Sequence, residues 1–104
     1  MARDVNLSVL TGTVISTPTL IPIRGNKHML LFTVSTVEKF VNAAGVQSQH
    51  DNEIPVEVLG RNAETFHKTV LRGERYLLTG YLRVDDLNGV ERMRVRHLSL
   101  QPAD

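Results

Sequence analysis

The chain has 104 residues, 12 basic and 11 acidic side chains for a formal net charge of +1, and no cysteine. The length fits one domain spanning residues 1–104, and the missing cysteine excludes disulfides, thiolate zinc sites and thiol catalysis. No apolar run approaches the roughly 18 residues of a membrane helix and the N-terminal segment lacks a signal-peptide pattern, so a cytoplasmic protein with no membrane partner is expected.

The dominant period along the chain is two. Leu7, Val9, Thr11 and Thr13 alternate with Ser8, Leu10, Gly12 and Val14, which predicts a first strand over 5–15, apolar on both faces. Ser16-Thr17-Pro18 ends it, and the chain reads as a loop as far as the turn pair Gly25-Asn26. A second strand is expected over 28–39, rich in β-branched residues, followed by a polar loop from Asn42 to Gln49. A third, over 51–59, contains Pro55, which has no N–H for a ladder and therefore marks an edge or a bulge.

Residues 61–69 are the one helical candidate, with Asn62 as N-cap and Ala63 and Phe66 three apart on one face. A fourth strand covers 74–84, with Gly80 as a bend of the kind barrels use at corners. Asn88-Gly89 forms a hairpin tip, and a fifth strand runs over 91–100. The order is strand, strand, strand, helix, strand, strand. This is the all-β plan of a five-stranded oligonucleotide-binding (OB) barrel with one short helix between strands 3 and 4.

Nine of the twelve basic residues are arginine, which suits planar recognition of phosphate better than lysine does. Arg92, Arg94 and Arg96 share one face of the fifth strand and span about 13 Å, a spacing able to track a nucleic-acid backbone. The competing reading is a solvated face, or pairing with Glu91, Glu74 or Asp85. Arg83 lies on the same side of its strand as Tyr81, a cation beside a ring that makes a base platform or, alternatively, packing at the barrel mouth. Lys39 and Phe40 close the second strand next to the polar loop, where an aromatic either pinches a base or anchors the loop. Arg24 and Lys27, with His28, bring positive charge to the first loop, whereas Asp85-Asp86 make the loop between strands 4 and 5 acidic and repel phosphate. Phe32 and Phe66 belong to apolar patterns and are assigned to the core. The four histidines lack metal-ligand spacing, so neither a metal nor a cofactor is expected. No catalytic motif or paired acid and base occurs, so no catalytic residues are assigned and no enzyme is expected.

Leu77-Leu78-Thr79-Gly80-Tyr81-Leu82-Arg83, the Asn88-Gly89 turn and Val90-Glu91-Arg92 together resemble the last hairpin of bacterial single-stranded DNA-binding proteins. Val58 to Glu64 resembles the strand-to-helix junction of that family. Glu53 to Arg61 is similar to the matching part of its relative, primosomal replication protein N, and Asn6 to Gly12 fits both. The likeness covers residues 5–100. It departs from the pattern in having no tryptophan, with Ile54, Leu59 and Asp85-Asp86 at positions where the family often places aromatics. The last expected strand ends about four residues before Asp104, so the resemblance is to a tailless member or to the primosomal protein. It implies non-sequence-specific binding of single-stranded DNA in replication or replication restart. It also implies a homodimer or a homotetramer, with replication or restart proteins as partners. The alternative is an OB barrel that serves as a protein-interaction module and docks onto a replication or repair partner.

Overall fold

The computed structural model describes residues 4–103. Seven elements follow in chain order: β1 (Ser8–Val14), β2 (Thr19–Ile23), β3 (Lys27–Val41), β4 (Gln47–Leu59), α1 (Arg61–Thr69), β5 (Arg75–Leu87) and β6 (Val90–Pro102). β1 pairs antiparallel with β5, β5 with β6, and β3 with β4. β4 and β6 run parallel and pair only at Val56–Val95 and Glu57–Arg96. β1 meets β3 at Thr13–Ser35 and Val14–Val34. These pairings close a five-stranded barrel, the expected OB architecture, with the helix between its third and fourth strands. β2 is a sixth strand outside the closed ring. Among the described residues it pairs with β3 alone, through residues 19–23, where a loop was expected. Its sequence, Thr-Leu-Ile-Pro-Ile, contains a proline that a free edge tolerates.

Inward side chains from every barrel strand fill the core. Val14, Leu30, Phe32, Val34, Val56, Val58, Leu78 and Val95 are buried, with Phe66 and Leu100 packed against them. The strands alternate as their period predicts, but β1 begins at Ser8 rather than residue 5 and is buried on one face only. Val9 and Thr11 point outward and are exposed. Two glycines allow closure. A Cβ on Gly12 would come within 2.7 Å of the Ser35 carbonyl oxygen and would also strike Val34, where β1 crosses β3. A Cβ on Gly80 would strike the Arg96 carbonyl and approach Val95 to 2.8 Å. At Thr79–Gly80 the β5–β6 register shifts by a bulge, so the expected bend is present.

Both long hairpins run beyond the expected strand ends. β3 and β4 stay paired out to Val41–Gln47, so the expected eight-residue loop shrinks to 42–46. Asn42 organises that turn, its Oδ1 accepting the Ala44 and Val46 N–H groups at 3.0 Å each. β5 and β6 stay paired to Leu87–Val90 around the expected Asn88-Gly89 tip, both residues having positive φ as a tight two-residue hairpin requires. These arms stretch the molecule to 55 × 38 × 32 Å. Pro55 pairs opposite Thr33, just before the short β4–β6 contact, and residues 47–55 of β4 pair with β3 only. The edge reading of Pro55 therefore holds. The helix spans the expected residues, but its N-cap is Gly60 at φ 77°, with no side-chain cap bond; Asn62 lies inside the first turn.

Candidate functional site

The β5–β6 ladder sets Tyr81 opposite Arg96, Arg83 opposite Arg94 and Asp85 opposite Arg92. By strand alternation all six face outward, away from Val95 and Leu78 in the core. Directly opposed like charges such as Arg83 and Arg94 destabilise a sheet unless an anion separates them. Glu57 of β4 supplies that anion. It pairs with Arg96 across the parallel contact, and its side chain is only 1% exposed. Arg96 donates to Glu57 Oε1 from Nε and Nη2, both at 2.9 Å. Arg94 Nη1 approaches Oε2 at 3.3 Å, and Arg83 Nη1 lies 3.6 Å from Oε1. Three guanidiniums thus cover one carboxylate, which makes burial of its charge tolerable.

Farther out on the arm, Asp85 receives Arg92 Nε at 3.3 Å and Arg94 through Oδ2. The arginine row is therefore not uniform. Arg94 is only 14% exposed, held between Glu57 and Asp85, with its Nε buried and without a hydrogen-bond partner among the described residues. Arg92 is 42% exposed, and Arg83 is similarly open. Four guanidiniums facing two carboxylates leave this face with a surplus of two positive charges.

Arg92 and Arg94 also form one wall of an open groove of about 630 Å³. Thr19 and Ile21 of β2 contribute on the other side, and Leu31, Thr33 and Pro55 line it between them. β2 thus raises a wall where the sequence suggested a loop. The groove contains apolar and hydroxyl surface, and its one aromatic, Phe32, has its side chain in the core.

The remaining expected contact residues lie elsewhere. Lys27 opens β3 four residues before Leu31, about 13 Å along the strand, and Arg24 sits in the turn before it. This end of the barrel holds a separate depression lined by Lys27, His28, Arg61 and Glu64, with His28 Nδ1 2.9 Å from Glu64 Oε1. Lys39 and Phe40 lie at the far end of β3, on the exposed part of the β3–β4 arm rather than in a loop. Adjacent in sequence, they face opposite sides of the ribbon. The structure thus gathers Tyr81, Arg83, Arg92, Arg94 and Arg96 on one face and leaves Arg24, Lys27, Lys39 and Phe40 apart from it.

Glu57 is the residue that strand patterning missed. The alternation of Ile54, Val56 and Val58 puts it on the outer face, but nothing local says that β4 lies beside β6. Asp85, read as a repulsive loop charge or as a partner for the row, is a strand residue paired with two arginines. On the inner face of β6, His97 packs edge-on against Phe66 at 5.1 Å, its Nε2 buried without a partner among the described residues. Desolvation lowers its pKa below the usual histidine value. Among the described residues no cluster of His, Asp and Glu suits a metal ion, and no helix is long and apolar enough to cross a membrane.

Comparison with solved structures returns the same barrel. A deletion variant of the single-stranded DNA binding protein from Thermus aquaticus superposes with a TM-score of 0.87 at 22% identity, covering 100% of this chain and 53% of that one. The chain thus spans about half the length of the Thermus protein. A Plasmodium falciparum SSB in complex with ssDNA gives 0.86 at 17% identity, covering 100% and 99%. A small single-stranded DNA-binding protein from Streptomyces coelicolor gives 0.68 at 16% identity, covering 93% of each chain. No curated protein sequence matches the chain. The family model described as the single-strand binding protein family matches residues 5–101, nearly the whole barrel, and the chain belongs to that family.

Proposed function

We propose that this protein binds single-stranded DNA without sequence preference and without chemical change to it, using the outer face of β5 and β6 and the adjoining groove. One observation carries the reading: four arginines against two carboxylates give a family barrel a net positive face beside an open groove. Arg92 and Arg83 offer guanidinium N–H groups to phosphates, with release of counterions. Leu31, Thr33, Pro55 and Ile21 offer mostly apolar surface to bases, and Tyr81 adds a ring at the edge of the arginine face. With few aromatics, electrostatics outweighs stacking, so affinity falls steeply with salt. Lys39 and Phe40 on the β3–β4 arm, and Arg24 and Lys27 at the base, extend the path to DNA that passes beyond the groove.

The same reading includes a homo-oligomer, with a dimer favoured, since one barrel offers a short strip and linked strips bind far more tightly. β1 supports it. Among the described residues, Ser8 to Gly12 pair on one side only, with β5, and Leu7 and Val9 are exposed beside that edge. A role in DNA replication or replication restart in the cytoplasm follows from family membership as a proposal. The test is fluorescence anisotropy with labelled oligo-dT, duplex and RNA at several salt concentrations. Expected is binding to oligo-dT that weakens steeply with salt and drops in an Arg83→Ala/Arg92→Ala double variant. No binding to oligo-dT even at low salt overturns the reading in favour of a protein-interaction module.

A further inference from the structure

We infer that Asp85 is an affinity-limiting residue that occupies, between Arg92 and Arg94, the place of a DNA phosphate. The inference rests on the proposed binding through the arginine face and assigns that face an internal competitor. Asp85 presents two oxygens to two guanidiniums, Oδ1 to Arg92 Nε at 3.3 Å and Oδ2 to Arg94. The two non-bridging oxygens of a phosphodiester meet guanidiniums in the same forked manner. The two carboxylates of the cluster differ in kind. Glu57 is sealed under three arginines at 1% exposure and is a permanent part of the barrel seam. Asp85 is 32% exposed, stands on the hairpin arm beyond the β4–β6 contact, and pairs with the arginines that wall the groove. Its contact with Arg92 is an exposed ion pair, weak and screened by salt, and its contact with the part-buried Arg94 duplicates one that Glu57 already makes. An incoming phosphate therefore replaces it by ion exchange, with no covalent step, while Arg94 stays anchored by Glu57. DNA binding at this point must first release Asp85 and then tolerate its negative charge nearby.

The neighbouring acid provides an internal control. Asp86 carries the same charge one residue away but faces the opposite side of β5, in register with Glu91 and away from the arginines. Asp85→Asn and Asp86→Asn make the same change in net charge, but the first removes a contact with arginines and the second removes a like charge opposite Glu91. Anisotropy titrations of labelled oligo-dT, with the whole chain at 0.05–0.3 M salt, distinguish them. Asp85→Asn is expected to tighten binding about fivefold at 0.1 M salt and to steepen the log K against log salt slope by about 0.7, one phosphate's worth. Asp86→Asn should change affinity by less than about twofold, because its side chain lies on the other side of the ribbon from the row and solvent salt screens it. Asp85→Ser should behave as Asp85→Asn does, and thermal unfolding should show each variant folded. Equal tightening by both Asn variants would mean that only net charge matters, and it overturns the assignment. Weaker binding by Asp85→Asn overturns it too, since Asp85 would then be holding the arginines in place. Failure of the underlying reading looks different: the wild type shows no salt-dependent binding, and Arg92→Ala changes nothing.

Discussion

Arg92 and Arg94 stand two residues apart on the same face of β6, yet their neighbours give them different work. Arg92 is the more open and, among the described residues, forms its ion pair with Asp85 alone, so Arg92→Ala should lower the magnitude of the salt slope by about 0.7 and leave stability within about 1 kcal/mol. Arg94 serves buried Glu57 as well as Asp85. Arg94→Ala should instead cost about 1–3 kcal/mol of folding by depriving a buried carboxylate of a partner. Denaturant titration and oligo-dT binding, run on both variants, separate the two roles; equal behaviour would mean the row is uniform after all. His97 makes a second residue-scale prediction. Its pKa is lowered by desolvation, so the folded state takes up this proton at a lower pH than the unfolded chain, which protonates near 6.5. Its contribution is complete above pH 6.5 and is lost as pH falls through the lower folded value. Unfolding measured between pH 7.5 and 5 should show this loss, and His97→Leu should flatten that part of the profile.

At the scale of elements, the β5–β6 ribbon needs Gly80 for a reason of space. A Cβ there meets the Arg96 carbonyl of the partner strand, a backbone atom that cannot rotate away. Gly80→Ala should cost about 1–3 kcal/mol, as overpacking does, and it should disturb Arg96 and the Glu57 cluster along with the bulge. Chemical denaturation reads the cost, and a weaker dependence of oligo-dT binding on salt would show that the arginine face had moved. Residues 61–69 and the Asn88-Gly89 turn were legible because helices and tight turns are local. β2 was not, since a five-residue apolar segment interrupted by Pro22 becomes a strand only where β3 offers an unpaired edge. The arms beyond 39 and 84 were also hidden, because their polar residues continue the ladder through backbone bonds rather than through an apolar pattern.

For the whole molecule, barrel closure leaves one edge of β1, over Ser8 to Gly12, without a partner strand among the described residues. Val9 is exposed beside that edge, so a lysine there should oppose association while sparing the core. In light scattering, Val9→Lys is expected to shift the mass toward monomer and to weaken oligo-dT binding with it. An unchanged mass above that of the monomer would place the subunit contact on another surface. An unassociated wild type at micromolar concentration that binds DNA undiminished would remove the need for pairing altogether.

The sequence by itself determined the five barrel strands in outline, the helix and the hairpin tip, though not β2 or the single buried face of β1, because period-two alternation, the glycine turns and one amphipathic helix are written within stretches of a few residues. It also carried enough ordered motifs to reveal the family. Only the tertiary structure decided that β4 comes to lie beside β6, an encounter of residues 39 apart that places Glu57 under Arg83, Arg94 and Arg96. The same folding set β2 against the groove and moved Asp85 from a supposed loop into the arginine row. Charges alternate along any half-exposed strand, so the row could be read but its partners could not. Which arginines are held by carboxylates and which remain open to phosphate depends on contacts between distant strands, and no local pattern encodes those.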